Sequence, residues 1–577
     1  MLRSYEYGSN RAYEFIYDMR GRLAAKKCTD GSRIIFGYDS KDYLKSSSVM
    51  LPGQKLGTMY HYGSGSSNQP YKSRVYGVTI TDATAAKMLI NTSSASDSLN
   101  RLASRSINAV GGKSLVYGYT YERGTTLPLT LSATVGEVSS TLVYTYDAAG
   151  NITSVTDGEN VTRYCYDNMG QLIREDNPYS QKTCVYAYDS CGNILSRTEY
   201  GYTDDENPTG GTATAYEYNN AAWGDQLTSW NGESITYDAI GNPLLYRGRS
   251  LTWTQGRRLA GVSSEGLAAY YTYDESGTRT GKTVNGVSTQ YYINGSQILA
   301  QKSGEDILYF LYDETGLAVG FKYNNALYLY RKNLQGDILA VLNGQTGATE
   351  ASYTYDAWGR VISATGALAD INPFRYRGYY YDSETGLYYL QSRYYDPETG
   401  RFINADGYIN TDFSDTNSYS YCGNCPVGYV DFCGHCRIRF DGVKLKDCHS
   451  FSCPYSEGLP QKEFESMLIA GIAKKPNFTP RKDPRKGSEN RQPSGARERN
   501  KAHQDSEEHS RVPKGNNTGR KKFNKNDDDI MKEFWDNARY TWRIQRMWRW
   551  PWEEEFERNT PTGDLTFWEI INPFRRR

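Results

Sequence analysis

"TLVYTYDAAGNITSVTD", residues 141–157, decides the fold. Its first half alternates Tyr, Val and Thr, residues that suit the pleated surface of a strand. Asp147-Ala148-Ala149-Gly150 follows. Asp bonds to the backbone ahead of it and Gly supplies a positive φ, so these four residues read as a tight turn. "NITSVTD" is then the returning strand, and the unit is a β-hairpin.

The unit recurs. Tyr166-Asp167 leads to Gly170, Tyr188-Asp189 to Gly192-Asn193, and Tyr237-Asp238 to Gly241-Asn242. Tyr273-Asp274 leads to Gly277, Tyr312-Asp313 to Gly316, and Tyr355-Asp356 to Gly359. Clear neighbours are about 20 residues apart, the mark of a repeat array. One hairpin cannot bury its face, but many in series can. The fold class is mainly β. The tyrosines read as stacked cross-strand ladders, with a carbohydrate-binding row of exposed Tyr as the alternative.

Composition marks a boundary near residue 436. Of 52 Tyr in 577 residues, 50 precede it, whereas six of ten Trp follow it. Residues 1–435 carry 36 Lys+Arg against 44 Asp+Glu; residues 436–577 carry 30 against 22. The body is acidic and the tail basic, which points to different partners. The N-terminus, "MLRSYEYGSNRAYEF", is polar and lacks the apolar core of a signal peptide. No run approaches the roughly 18 apolar residues of a membrane span. The chain reads as a C-terminal piece of a longer protein or a separated cassette, with any export signal elsewhere.

At 372–402, "NPFRYRGYYYDSETGLYYLQSRYYDPETGRF" packs eight tyrosines into 31 residues. The repeated "YDxxGN" resembles the YD repeat of the rearrangement-hotspot (RHS) family. Residues 330–408 closely resemble that family's repeat-associated core. The resemblance covers most of residues 1–435. It implies a cocoon-like β-shell over 1–329, a core plug over 330–435, and a variable C-terminal module over 436–577, which we expect to be small and α or α+β. It also implies a secreted or cell-surface location.

Members of the family often continue into a "DPxG" motif at which an intramolecular aspartyl-type site cuts the chain. Here "VDFCGH" matches at Asp431 and Gly434, but Phe432 stands where Pro is usual and His435 where Leu is frequent. Asp406 matches the first carboxylate by its place after "RFINA". Asp415 is the nearest candidate for the second. Two carboxylates sharing a proton can serve as acid and base in peptide hydrolysis; the plain alternative is that both cap turns.

Cys422-Gly-Asn-Cys425 and Cys433-Gly-His-Cys436 form a CxxC-x7-CxxC pattern. It supplies four thiolates for a tetrahedral zinc site. Reduced or disulfide-bonded cysteines are the alternative, and no other cofactor is implied. Cys28, Cys165, Cys184 and Cys191 show no framework.

In the tail, residues 476–526 are poor in apolar residues and read as a solvated, flexible stretch. Within it, "GSENRQPSGARERNKAHQDSEEHSRVPKGN" is similar to a C-terminal module of RHS-type polymorphic toxins. His503, Glu507, Glu508, His509 and Arg511 cluster there. His and Glu suit general acid–base work and Arg suits phosphate charge. The set fits metal-free RNA cleavage or, with a bound metal, DNA cleavage. In an extended stretch His503, Glu507, His509 and Arg511 share one face. Arg497, Arg499, Lys514, Arg520, Lys521 and Lys522 would attract a phosphate backbone. Residues 527–550 read as a helix with Ile530, Phe534, Ala538 and Trp542 on one face and Arg539, Arg543 and Arg546 on another.

Two functions stay open. The first is a toxin, a shell carrying a nuclease with RNase favoured, used in competition between bacteria and neutralised by a cognate immunity protein. The second is a cell-surface YD-repeat protein that binds glycan or mediates contact and carries an inert tail.

Overall fold

The computed structural model describes residues 4–439, apart from 8–10, 30, 52, 70, 275, 296, 408–416 and 436. Among the described residues there are no α-helices, only two short 3-10 turns at Tyr376–Gly378 and Cys422–Asn424. Strands from Ser4 to Ser234 form a first sheet of 20, and strands from Thr236 to Thr365 a second of 14. Pairing runs between sequence neighbours and is antiparallel throughout, as the hairpin reading predicts.

Alternation sets the two faces. In Ser114–Tyr121, Leu115 and Tyr117 are buried and Val116 is exposed. The turn chemistry is equally regular. Asp147 Oδ1 accepts the N–H groups of Ala149 at 2.9 Å and Asn151 at 2.8 Å, and Gly150 N–H donates to Asp147 O. Gly150 has φ +81°, a conformation that glycine reaches without a Cβ penalty.

The tyrosine of each unit does more than pack. Ladder register shifts at that tyrosine, between Thr145 and Tyr146, Cys165 and Tyr166, and Thr354 and Tyr355. Such a bulge disturbs the ladder and asks other donors to satisfy backbone carbonyls. The hydroxyl supplies one. Tyr166 donates to Ile152 O at 2.8 Å, Tyr188 to Leu172 O at 2.6 Å, Tyr312 to Ile298 O at 2.6 Å and Tyr355 to Ile338 O at 2.9 Å. Each hydroxyl reaches the start of the preceding unit's returning strand. Phenylalanine would fill the same space and leave that carbonyl unanswered.

The two sheets meet directly. Tyr117 Oη donates to Tyr330 O and accepts from Lys332 N–H, and Tyr144 Oη accepts from Leu334 N–H. Arg105 of the first sheet bridges Asp313 at 2.9 Å and Glu314 at 3.0 Å on a turn of the second. One apolar core joins both sheets to the residues that follow.

Those residues form the plug. A four-stranded sheet spans Tyr380–Phe402, and seven of the eight tyrosines at 372–402 are buried. Arg279 of the second sheet holds it in place. Its guanidinium pairs with Asp382 at 2.5 and 3.0 Å inside a ring of Tyr271, Tyr291, Tyr380, Tyr389 and Tyr394. A buried charge persists only with partners of this kind. The Arg279 and Lys282 charges hold the Asp382 carboxyl below its usual range against the opposing effect of burial. The wall therefore does turn inward at 372–402.

Candidate functional site

The junction between plug and tail gathers the chemistry-bearing side chains of the described region. The described residues of 417–439 run along turns of the first sheet and, at Gly241, a turn of the second. Tyr419 Oη donates to Gly241 O, Asn417 Nδ2 to Asn193 Oδ1, Asn424 Nδ2 to Gly192 O, and Arg439 Nη2 to Gly150 O. Each turn glycine has positive φ, and the carbonyls of Gly150, Gly192 and Gly241 become rungs for this strap.

Asp406 lies where the strap begins. Its Oδ1 is 2.7 Å from His435 Nδ1 and its Oδ2 is 3.0 Å from Arg393 Nη2. Arg393 Nη2 is also 3.8 Å from Asp431 Oδ2. Asp431 Oδ1 accepts the N–H groups of Gly434 at 2.7 Å and Cys433 at 3.2 Å, which wraps 431–434 into a tight turn. Arg393 Nε donates to Gly434 O, and Ser392 Oγ donates to Cys433 O at 2.6 Å. One arginine thus touches two carboxylates and a backbone carbonyl of the motif loop. The arrangement can hold a carboxylate base beside a polarised peptide carbonyl.

The structure brings Asp406, Asp431 and His435 together. Asp415, expected as the second carboxylate, lies outside the described residues; the carboxylate linked to Asp406 through Arg393 is Asp431. Sequence reasoning passed over Arg393. The signal was present: an arginine inside "LYYLQSRYYD" is headed for a buried strand and must find carboxylates there. Arg393 is 5 % exposed.

Cys422 and Cys425 are buried free thiols, Cys433 is buried beside them in sequence, and Cys436 lies outside the described residues. Burial pushes the Cys425 thiol up to about 11 and the Cys422 thiol well above its usual range. Among the described residues no group of three or more His, Cys, Asp or Glu is placed to hold a metal ion. Cys165, Cys184 and Cys191 are also free, and Cys28 is buried.

The nuclease candidates His503, Glu507, Glu508, His509 and Arg511, and the basic set Arg497, Arg499, Lys514, Arg520, Lys521 and Lys522, lie outside the described residues, as does the expected helix. No described helix is long and apolar enough to cross a membrane.

Comparison with known proteins adds to this geometry. The model of the teneurin YD-shell matches residues 70–427. Over 222 residues, 37 % of this chain, the sequence is 36 % identical to the tRNA3(Ser)-specific nuclease WapA of Bacillus spizizenii, of which the match covers 9 %. Over 482 residues, 73 % of this chain, it is 27 % identical to double-stranded DNA deaminase toxin A of Burkholderia cenocepacia, of which 30 % is covered. The crystal structure of TcdB2-TccC3-Cdc42 aligns with 80 % of this chain and 22 % of its own, at 17 % identity and a TM-score of 0.51. This last likeness is one of fold. The chain spans less than a third of the length of each of these relatives.

Proposed function

The chain belongs to the YD-shell family, and from that premise we propose that residues 1–435 are the shell and plug of an RHS-type polymorphic toxin and residues 436–577 its effector. One observation carries this reading. The family match ends at 427 and the described strands end at Arg439, yet the chain continues into a basic, Tyr-poor tail. Two relatives support it from another side. One is named a tRNA3(Ser)-specific nuclease and the other a double-stranded DNA deaminase toxin, so similar walls accompany different chemistry on nucleic acid.

The effector is a nuclease, with RNA favoured. His503 or His509 takes the proton from a 2′-hydroxyl, which attacks the neighbouring phosphorus. The 5′-oxygen leaves with a proton from the other histidine, and Arg511 balances the phosphorane charge. The basic residues from Arg497 to Lys522 hold the backbone. A cognate immunity protein covers 436–577 in the producing cell, and the protein acts after secretion, in competition between bacteria. At the junction, Asp406 is the base that activates water for peptide hydrolysis, while Arg393 and Asp431 hold the loop.

The test is induced expression of residues 436–577 in a bacterial host beside a His503→Ala, His509→Ala double variant, with total RNA and DNA run on gels. Growth arrest with degraded RNA, abolished in the double variant, is expected. Normal growth with the fragment present overturns the toxin reading. Arrest with intact nucleic acid overturns the nuclease.

A further inference from the structure

Asp406 is held in place by groups far from it in the chain. Its N–H donates to Ser418 O at 2.9 Å, and the N–H of Ala405 donates to Gly241 O at 3.1 Å, on a turn of the second sheet. The carbonyl of Ala405 is fastened to the same sheet. Arg257 sits in the turn between strands Arg249–Thr254 and Arg258–Ser264. Its Nη1 donates to Ala405 O at 3.2 Å and to Ile240 O at 2.5 Å. A guanidinium nitrogen carries two hydrogens in a fixed plane, so one Nη1 can bridge two carbonyls. Both backbone polar groups of Ala405 are thus tied to the wall, and the Asp406 backbone follows directly. Gly407 then lies between the same arginine and His435: a Cβ there would stand 3.8 Å from Arg257 Cδ and 3.9 Å from His435 Cε1. Arg247 and Arg279 reach the plug by pairing with acids, Asp396 and Asp382. Arg257 reaches it through a backbone carbonyl, and what such a bridge fixes is the path of the chain at 405–407.

We propose that Arg257 is a positioning residue for Asp406, and that the junction becomes competent for peptide hydrolysis only when the turn carrying Arg257 has docked on the plug. This rests on the reading of Asp406 as the base. Arg257 is 148 residues from Ala405 in the chain, so no local segment supplies the clamp. An order of events follows. The second sheet must fold and meet the plug before the Asp406 carboxylate comes to rest between His435 and Arg393. The motif loop is then cut on a finished wall and not on a nascent one. A shift of about 1 Å in a reacting group is enough to cost a large factor in rate, so loss of the bridge should be felt at the carboxylate although Arg257 takes no part in the bond changes.

The test follows the full chain during cell-free synthesis with a labelled amino acid and reads the fraction cut against time. Arg257→Ala should slow cutting at least tenfold. Arg257→Lys should restore part of the rate, because an ammonium can still donate to Ala405 O. Arg249→Ala removes a different wall-to-plug bond, from Arg249 Nη1 to Thr385 O, and should leave the rate within twofold of the parent's. Asp406→Asn should abolish cutting. Melting temperatures in that uncut background show whether each variant folds; if Arg257→Ala does not, Arg257→Lys and Arg257→Gln carry the comparison. Cutting of the folded Arg257 variants at the parent rate overturns the proposal. Equal slowing by Arg257→Ala and Arg249→Ala overturns it too, since Arg257 would then be one more docking contact. A parent chain that stays whole overturns the reading of Asp406 as the base, and the proposal with it.

Discussion

The turns at Asp167 and Asp356 are built from the same bonds, yet Met169 of the first is 79 % exposed and Trp358 of the second is 2 % exposed. In each, the Asp carboxylate accepts the N–H groups two and four residues on, and the glycine N–H returns to the Asp carbonyl. Turns of the first sheet reach the surface and carry the strap. In the second sheet the turn at Asp238 also carries the strap, but those at Asp313 and Asp356 pack against the first sheet, where Arg105 pairs with Asp313 and Glu314, and Glu175 Oε1 accepts Ala357 N–H. Asp and Gly fix the local geometry; the residues between them and the packing around them fix what the turn is for.

The sharpest way to break this contrast is to truncate both turn tips. Trp358→Ala should cost about 3–5 kcal/mol in unfolding of the full chain, because it opens a cavity in the core. Met169→Ala should stay within about 0.5 kcal/mol. Arginines offer the same test. Arg105→Ala leaves two buried carboxylates without their partner and should cost about 3 kcal/mol. Arg439→Ala, on a surface rung, should cost about 1 kcal/mol or less in the uncut chain. Equal effects in either pair would dissolve the distinction.

Acidity separates the two rows as well. Burial, and then the Asp356 charge beside it, push the Glu175 carboxyl up to about 8. An acid with a raised folded pKa holds its proton in the folded state after the unfolded chain has lost it. Stability from this group is therefore full below about 4.5 and falls as pH rises toward 8. Between pH 5 and 8 the full chain should lose stability through Glu175, read as a falling melting temperature. Glu175→Gln should flatten that slope, and its melting temperature should exceed the parent's at pH 8. The smallest effect sharpens what the rows share. Tyr166→Phe and Tyr355→Phe each remove one hydroxyl rung and should each cost about 1 kcal/mol.

How far could the sequence be read? The seven Tyr-Asp turns and the hairpin order follow from local chemistry and a period near 20 residues, whereas the inward plug was implied by the resemblance of residues 330–408 to the RHS core. The hydroxyl rungs were not legible, because a tyrosine announces its ring through β-propensity but not the carbonyl its oxygen will meet. Nor was the fate of each turn, because "YDNMG" and "YDAWG" have equal claims to a turn and only the Trp hints at burial. At the junction Asp406 and Asp431 were picked out by motif, with Asp415 named as the second carboxylate, whereas His435 entered only as a departure from the motif. Arg393 was missed because its role arises from the plug strand meeting the strap, through partners that lie from Asp406 to Gly434 in the chain. The tail's candidates rest on residue types alone.

The most direct test of the account compares growth after induced expression of residues 1–435, residues 436–577 and the whole chain in one host. A shell that carries an effector predicts normal growth with the body and arrest with the tail. Arrest with the body alone, or normal growth with all three at equal levels, would contradict it.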